Sequence, residues 1–192
     1  MKRILLPVVG WIAAVPSASA AEPIRAKVVV VAMFESGADT GDRPGEFQLW
    51  VEREKLTQVL PFPQGYRDLR PNADGSVLGV VTGVGTAKSA ATIMALGLDP
   101  AVRPFEGLQS LAFLARAKRV DVRRVPVLRT AGNFDMQWPG GDAAESLSGE
   151  KLGAGYSAHL PALEAAHRVG SPVMHELIKN WAHYEKTLPG AK

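Results

Sequence analysis

Thr82, Gly83, Gly85 and Thr86 lie in the stretch Val77-Leu78-Gly79-Val80-Val81-Thr82-Gly83-Val84-Gly85-Thr86-Ala87-Lys88-Ser89. There an apolar strand runs through a Gly-x-Gly turn into an alanine-rich helix. A helix N-terminus carries backbone N–H groups without intrahelical acceptors and the positive end of the helix dipole. Brought to one spot by such a turn, these groups suit an anion such as phosphate, or a ribose hydroxyl. A close-packed turn without a ligand satisfies the same pattern, so the glycines alone leave both readings open. A dinucleotide cradle fits poorly. Lys88 occupies the third glycine position, and no acidic residue closes a following strand at the distance a ribose requires.

Other residues with chemical potential are spread along the chain. Glu35, Asp39 and Asp42 crowd a polar loop, where they can orient ribose hydroxyls or serve as solvated turn residues. Their spacing is not that of a calcium loop, so no metal is expected. Arg67 and Arg70 offer planar forks for a phosphate, or are ordinary surface residues flanking a hairpin. Asn133 follows the apolar segment Arg124–Thr130, at the strand end where open α/β sheets place ligands. Gly132-Asn133 is equally ordinary turn chemistry. Asp135 is a weaker second choice.

The histidines 159, 167, 175 and 183 recur every eight residues. Eight steps of about 100° rotate a helix face by roughly 80°, so they do not share one side and read as surface residues. His175-Glu176-Leu177-Ile178-Lys179 lacks the second histidine of a zinc protease motif. No serine sits in a Gly-x-Ser-x-Gly elbow, and cysteine is absent, which removes thiolate catalysis, disulfides and cysteine zinc sites.

The elements that must position these residues form an α/β pattern. Lys27 to Phe34 is a continuous, β-branched apolar run that fits a strand covered on both faces, as in a parallel sheet. A glycine-rich polar loop follows, then a short helix within Glu46–Leu56. Tyr66–Pro71 and Ser76–Thr82 flank Asn72-Ala73-Asp74-Gly75 and predict a hairpin. A helix is expected from Thr86 to about Leu96, ended by Gly97 and Asp99-Pro100. Leu108–Ala117 has helical composition, and Arg124–Thr130 reads as a strand despite Pro126. Two C-terminal helices are expected, Ala158–Val169 and Pro172–Tyr184, with Ser171 as the N-cap of the second. The pattern is short of strands for a sheet of normal width.

With 192 residues the chain supports one substantial core. Lys2-Arg3, the apolar run Ile4–Val15 and Ala18-Ser19-Ala20 form an export signal pattern, with cleavage expected before Ala21. Residues 1–20 are therefore expected to be a signal peptide and 21–192 a single domain, periplasmic or secreted. Without Lys2 and Arg3, 20 basic residues face 19 acidic ones. So small a surplus gives no reason to expect nucleic acid or an anionic membrane as a partner. No second apolar run approaches the length of a membrane span.

Several segments resemble one family. Val29-Val30-Val31-Ala32-Met33-Phe34-Glu35 and Arg43-Pro44-Gly45-Glu46-Phe47-Gln48-Leu49-Trp50 resemble the start of the purine nucleoside permease (NUP) family. So do Gly65-Tyr66-Arg67-Asp68-Leu69-Arg70 and Gly79-Val80-Val81-Thr82-Gly83-Val84-Gly85-Thr86-Ala87. Gln109–Ala115, Leu128-Arg129-Thr130-Ala131-Gly132-Asn133-Phe134-Asp135-Met136 and Tyr156–Ala165 resemble its C-terminal part. The resemblance implies a fold distantly similar to purine nucleoside phosphorylases: a partial three-layer α/β arrangement whose central sheet lacks several strands. Family members carry a long central region that Gly97–Gly107 replaces here. The absent part includes a segment resembling Met-Glu-Asp-Thr-Gly, whose carboxylate would be expected near the ribose.

The resemblance also implies roles. Thr82, Gly83, Gly85 and Thr86 would face the phosphate or ribose end of a nucleoside, with Asn133 on the purine base; Glu35, from the polar loop, is a further candidate for the nucleoside site. It implies purine nucleoside binding in an uptake system, with an inner-membrane transporter as possible partner and no cofactor. The alternative is a phosphorylase or hydrolase that cleaves the N-glycosidic bond, with phosphate as co-substrate in the first case. A second alternative is an inactive remnant. The absent carboxylate weighs against turnover, because catalysis needs every group placed together whereas binding survives the loss of one contact. No catalytic residue is assigned.

Overall fold

The computed structural model describes residues 23–102, 122–130, 140–144 and 159–188. Their elements are β1 (Val28–Ala32), α1 (Gln48–Arg53), β2 (Arg70–Pro71), β3 (Val77–Val81) and α2 (Thr86–Leu98). A 3-10 turn (Val122–Arg124) follows, then α3 (His159–Lys179) and α4 (Trp181–Tyr184). This is a mixed α/β arrangement around a small three-stranded sheet of order β1-β3-β2.

The expected parallel pairing is present. β1 runs parallel to β3 with Val28 opposite Val77 and Ala32 opposite Val81. The predicted hairpin joins β2 to β3 antiparallel, Arg70 opposite Gly79. All five residues of β3 are buried, so the central strand is an unbroken apolar run rather than an alternating one. Its side chains divide by parity. Leu78 and Val80 pack with Leu69, Phe62, Leu96 and Val102 on the α2 side. Val77 and Val81 pack with Phe47, Val51, Leu56 and Met174 on the side of α1 and α3. Gly79 makes room on that second face, because a Cβ there would lie 2.6 Å from the Phe47 ring.

Element ends differ from the sequence pattern where side chains intervene. β1 stops at Ala32, and the amides of Met33 and Phe34 turn instead to the Glu46 carboxylate at 3.1 and 3.2 Å. α1 is confined to Gln48–Arg53 within the predicted Glu46–Leu56. α2 runs through Gly97 to Leu98 and stops at Asp99, which precedes Pro100. The helix predicted at Leu108–Ala117 lies outside the described residues.

Two expectations are corrected. Arg124–Thr130 is not a strand: after the 3-10 turn the chain has no regular structure through Thr130. Pro126 lacks an N–H, and Val127 is 79% exposed, so the segment has neither the ladder nor the burial a strand needs. Arg124 instead directs its guanidinium to the carbonyls of Tyr184 and Glu185. The second correction is at the C-terminus. α3 is continuous from His159 to Lys179 with Pro172 inside it, where two helices divided at Gly170-Ser171-Pro172 were expected. Gly170 serves packing rather than termination, since a Cβ there would lie 2.7 Å from the Trp50 ring. Docking on α1 holds the helix through the proline, and the break comes at Asn180, the N-cap position of α4.

Candidate functional site

The parallel strands β1 and β3 end side by side, each followed by a connection into a helix, and the predicted site residues divide between these two connections. At the β3 end, the Thr82 amide donates to the Ala32 carbonyl at 2.9 Å. Thr82 is 1% exposed. Its hydroxyl lies 3.0 Å from Ser89 Oγ, which in turn donates to the Gly83 carbonyl at 3.1 Å. Thr92 Oγ1 donates to the Thr82 carbonyl at 3.2 Å. With the Ser89 proton committed to Gly83, Thr82 is left to donate to Ser89. Thr82 therefore braces the turn against α2 from inside, and Ser89 and Thr92 share that work. Sequence reasoning missed both. The signal was present in their i, i+3 spacing, which places two hydroxyls on one helix face over the turn.

Gly83 and Gly85 have φ of +81° and +96°, a region that L side chains rarely occupy. They differ in surroundings. A Cβ on Gly83 would lie 2.8 Å from the Tyr66 ring, whereas one on Gly85 meets nothing within 4 Å. Gly85 is the N-cap position of α2, without a side-chain cap, and the first turn of the helix carries no acidic residue. Gly85 and Thr86 are exposed. The Lys88 ammonium sits 5.4 Å from the centre of the Tyr66 ring, which adds a cation beside the open turn. The turn thus has a buried brace, Thr82 and Gly83, and an open rim, Gly85 and Thr86. Backbone N–H groups on such a rim can bind an anion or a hydroxyl oxygen.

The β1 connection is organised in the opposite way. Glu35 is 4% exposed. Its Oε1 accepts from the amides of Ser36 and Gly45 at 3.0 and 2.7 Å, and its Oε2 from those of Phe47 and Gln48 at 3.0 and 2.7 Å. The carboxylate caps the start of α1 from thirteen residues upstream, where negative charge is favourable. Both oxygens are committed, so Glu35 is placed as a scaffold rather than beside a ligand. Asp39 bridges Arg67 Nη1 at 2.8 Å and Arg70 Nε at 2.7 Å, and Asp42 accepts from the Ala38 amide at 2.7 Å. The arginines are neither free phosphate forks nor plain surface residues. They tie the loop to the hairpin. Asn133 and Asp135 lie outside the described residues.

The histidines give an unexpected result. His167 and His175 both place Nε2 against the Glu54 carboxylate, at 2.8 and 2.9 Å. Burial pushes the Glu54 carboxyl up, but the combined hydrogen bonds and charge of Ser171, His167 and His175 outweigh it and hold the group below its ordinary value of 4.5. Among the described residues, no group of three or more His, Cys, Asp or Glu is arranged to hold a metal ion. No described helix is long and apolar enough to cross a membrane.

Comparison with known families places the chain. The sequence profile of the purine nucleoside permease (NUP) family matches residues 25–103 and 106–189. The protein belongs to that family. Both connections lie within the matched region, and the break between its two segments falls inside Gly97–Gly107. No curated protein and no solved structure matches the chain.

Proposed function

We propose that the protein binds a purine nucleoside as a component of nucleoside uptake, with the turn Thr82–Thr86 against the ribose or phosphate end of the ligand. One observation carries this reading. In a chain of the purine nucleoside permease family, the open helix start at Gly85-Thr86 has no internal cap, while its neighbour at α1 is capped by Glu35. An uncapped start with a nearby ammonium favours an oxygen-rich ligand. Thr82 and Gly83 hold the turn, and Gly85 and Thr86 make the contact. Asn133 supplies the base-side amide on the family resemblance alone. A reduced three-layer phosphorylase-like plan is supported by the helices that cover both faces of the parallel strand pair, with three strands in the sheet among the described residues. The export pattern of residues 1–20 supports a site of action outside the inner membrane, with a membrane transporter as partner.

Binding is favoured over cleavage of the N-glycosidic bond, because the segment that the resemblance expects to bring a carboxylate to the ribose is replaced by Gly97–Gly107, and both oxygens of Glu35 are taken by backbone amides. The test combines titration calorimetry with assay of free base, using inosine and adenosine with and without phosphate. Binding without base release is the expected result. Release of hypoxanthine or adenine would replace uptake with catalysis. Absence of binding by a cooperatively melting protein would leave the family fold without its ligand.

A further inference from the structure

The carboxyl ends of β1 and β3 carry exposed apolar side chains as well as the open turn. Met33 and Phe34 follow β1 at 52% and 40% exposure, and Val84, between the two turn glycines, is 60% exposed. Tyr66 comes from the segment before β2, 45% exposed, with its ring against Gly83. Apolar residues exposed singly are ordinary on a protein surface. These lie together at one end of the sheet. The Thr82 amide reaches the Ala32 carbonyl, which brings Met33 beside the turn. Arg67 Nη2 donates to the Glu35 carbonyl at 3.2 Å, which ties the neighbour of Tyr66 to the neighbour of Phe34. Open α/β sheets take ligands at this end of their strands.

The segment around Tyr66 is anchored at almost every other position. Phe62 is buried, and Gly65 closes over it, since a Cβ there would lie 2.0 Å from the Phe62 ring. Asp68 Oδ1 accepts from the Phe62 amide at 3.1 Å. Leu69 packs in the core, and Arg67 bridges to Asp39 at 2.8 Å. The Tyr66 hydroxyl, in contrast, has no hydrogen-bond partner among the described residues. The Lys88 ammonium, 5.4 Å from the ring centre, belongs to an exposed side chain on a flexible stem, which a ligand can displace. A fixed backbone that presents a half-exposed ring suits contact with a flat ligand.

We propose that Tyr66 packs against the purine base, so that its ring gives the site its preference for a nucleoside over a bare sugar phosphate. The inference rests on the nucleoside reading of the turn and adds the part of the ligand that the turn does not serve. The backbone N–H groups at Gly85 and Thr86 meet oxygen, whereas a purine offers a flat apolar face that an aromatic ring stabilises. Tyr66 rests on Gly83, two residues before Gly85, so a ligand whose ribose meets the open rim brings its base to the ring. Met33, Phe34 and Val84 extend the apolar wall.

Titration calorimetry of the full chain tests the assignment, with inosine and with D-ribose 5-phosphate, which has the sugar and a phosphate but no base. Stacking on an aromatic side chain accounts for roughly five- to hundredfold in affinity. Tyr66→Leu is therefore expected to weaken inosine about tenfold and to leave D-ribose 5-phosphate within about twofold. Tyr66→Phe keeps the ring and is expected to retain most of the inosine affinity. Proton NMR of the wild type gives a second readout. The Tyr66 ring signals, assigned by their loss in Tyr66→Phe, are expected to move upfield with inosine and to stay in place with D-ribose 5-phosphate. Undiminished inosine binding by folded Tyr66→Leu overturns the assignment and leaves the nucleoside reading standing. Equal weakening of both ligands does the same, and so do Tyr66 signals that ignore bound inosine. A wild-type protein that does not bind inosine overturns both.

Discussion

β1 and β3 are parallel neighbours, and each delivers the chain to a helix at the same end of the sheet. The two helix starts are handled in opposite ways. After β1, the chain takes a long loop, in which Glu35 Oε1 accepts from the Ser36 and Gly45 amides while its Oε2 caps the start of α1. After β3, it takes two positive-φ glycines and enters α2 with nothing on the cap. A helix start needs acceptors for its first N–H groups. The first unit supplies them from its own sequence, and the second leaves them to solvent or a ligand. Polar residues crowd the first loop and spend their hydrogen bonds within it, whereas the second leaves the helix start without a side-chain cap. Residue type alone therefore does not tell which hydrogen-bonding groups remain unmet.

The largest perturbation that probes this contrast is Glu35→Ala. It strands four amides, two in the loop and two at the start of α1, and is expected to destabilise the protein by about 3–5 kcal/mol in urea unfolding. Nucleoside affinity should persist at temperatures where the variant is folded. Normal stability with lost binding would instead make Glu35 a ligand residue and dissolve the distinction between the two units. Gly83→Ala attacks the other side. It combines φ strain with a clash against Tyr66, and is expected to cost about 2–4 kcal/mol and to weaken binding with it.

Glu54 gives a smaller, pH-dependent effect at the far end of α1. Its folded titration lies below the ordinary value, so its stabilisation is complete above about pH 4.5 and is lost as pH falls toward the depressed value. Glu54→Gln should remove about 1 kcal/mol or less near neutrality and flatten the acid limb of a stability–pH curve measured by urea unfolding. The smallest change is the most discriminating. Thr86→Glu puts negative charge in the first turn of α2 and should raise stability by about 0.3–1 kcal/mol. The same charge repels an anionic ligand, so calorimetry should show weaker phosphate-dependent binding. Stability and affinity changing in the same direction would mean that the open start is not where the ligand sits.

Much of the frame was legible in the sequence, because the relevant information is local. β-Branched runs mark β1 and β3, Asp74-Gly75 marks the hairpin between them, and Thr86–Leu96 carries its helix composition on its face. Local signals failed where distant partners decide. Gly170-Ser171-Pro172 has the look of a helix boundary, but Trp50 packs against Gly170 and the helix runs through. Arg124–Thr130 has strand composition, but among the described residues no strand lies beside it, and periodicity cannot reveal whether a neighbour is there.

By itself, the sequence determined the family and the strand–turn–helix at Thr82–Thr86, since each follows from residue types read in order. The tertiary structure alone decided which polar groups are spent. Glu35 is consumed by amides ten to thirteen residues away, Asp39 by Arg67 and Arg70, and Glu54 by histidines more than a hundred residues distant. A carboxylate's capacity to bind is what remains after its neighbours have taken their hydrogen bonds, and those neighbours are assembled only by folding.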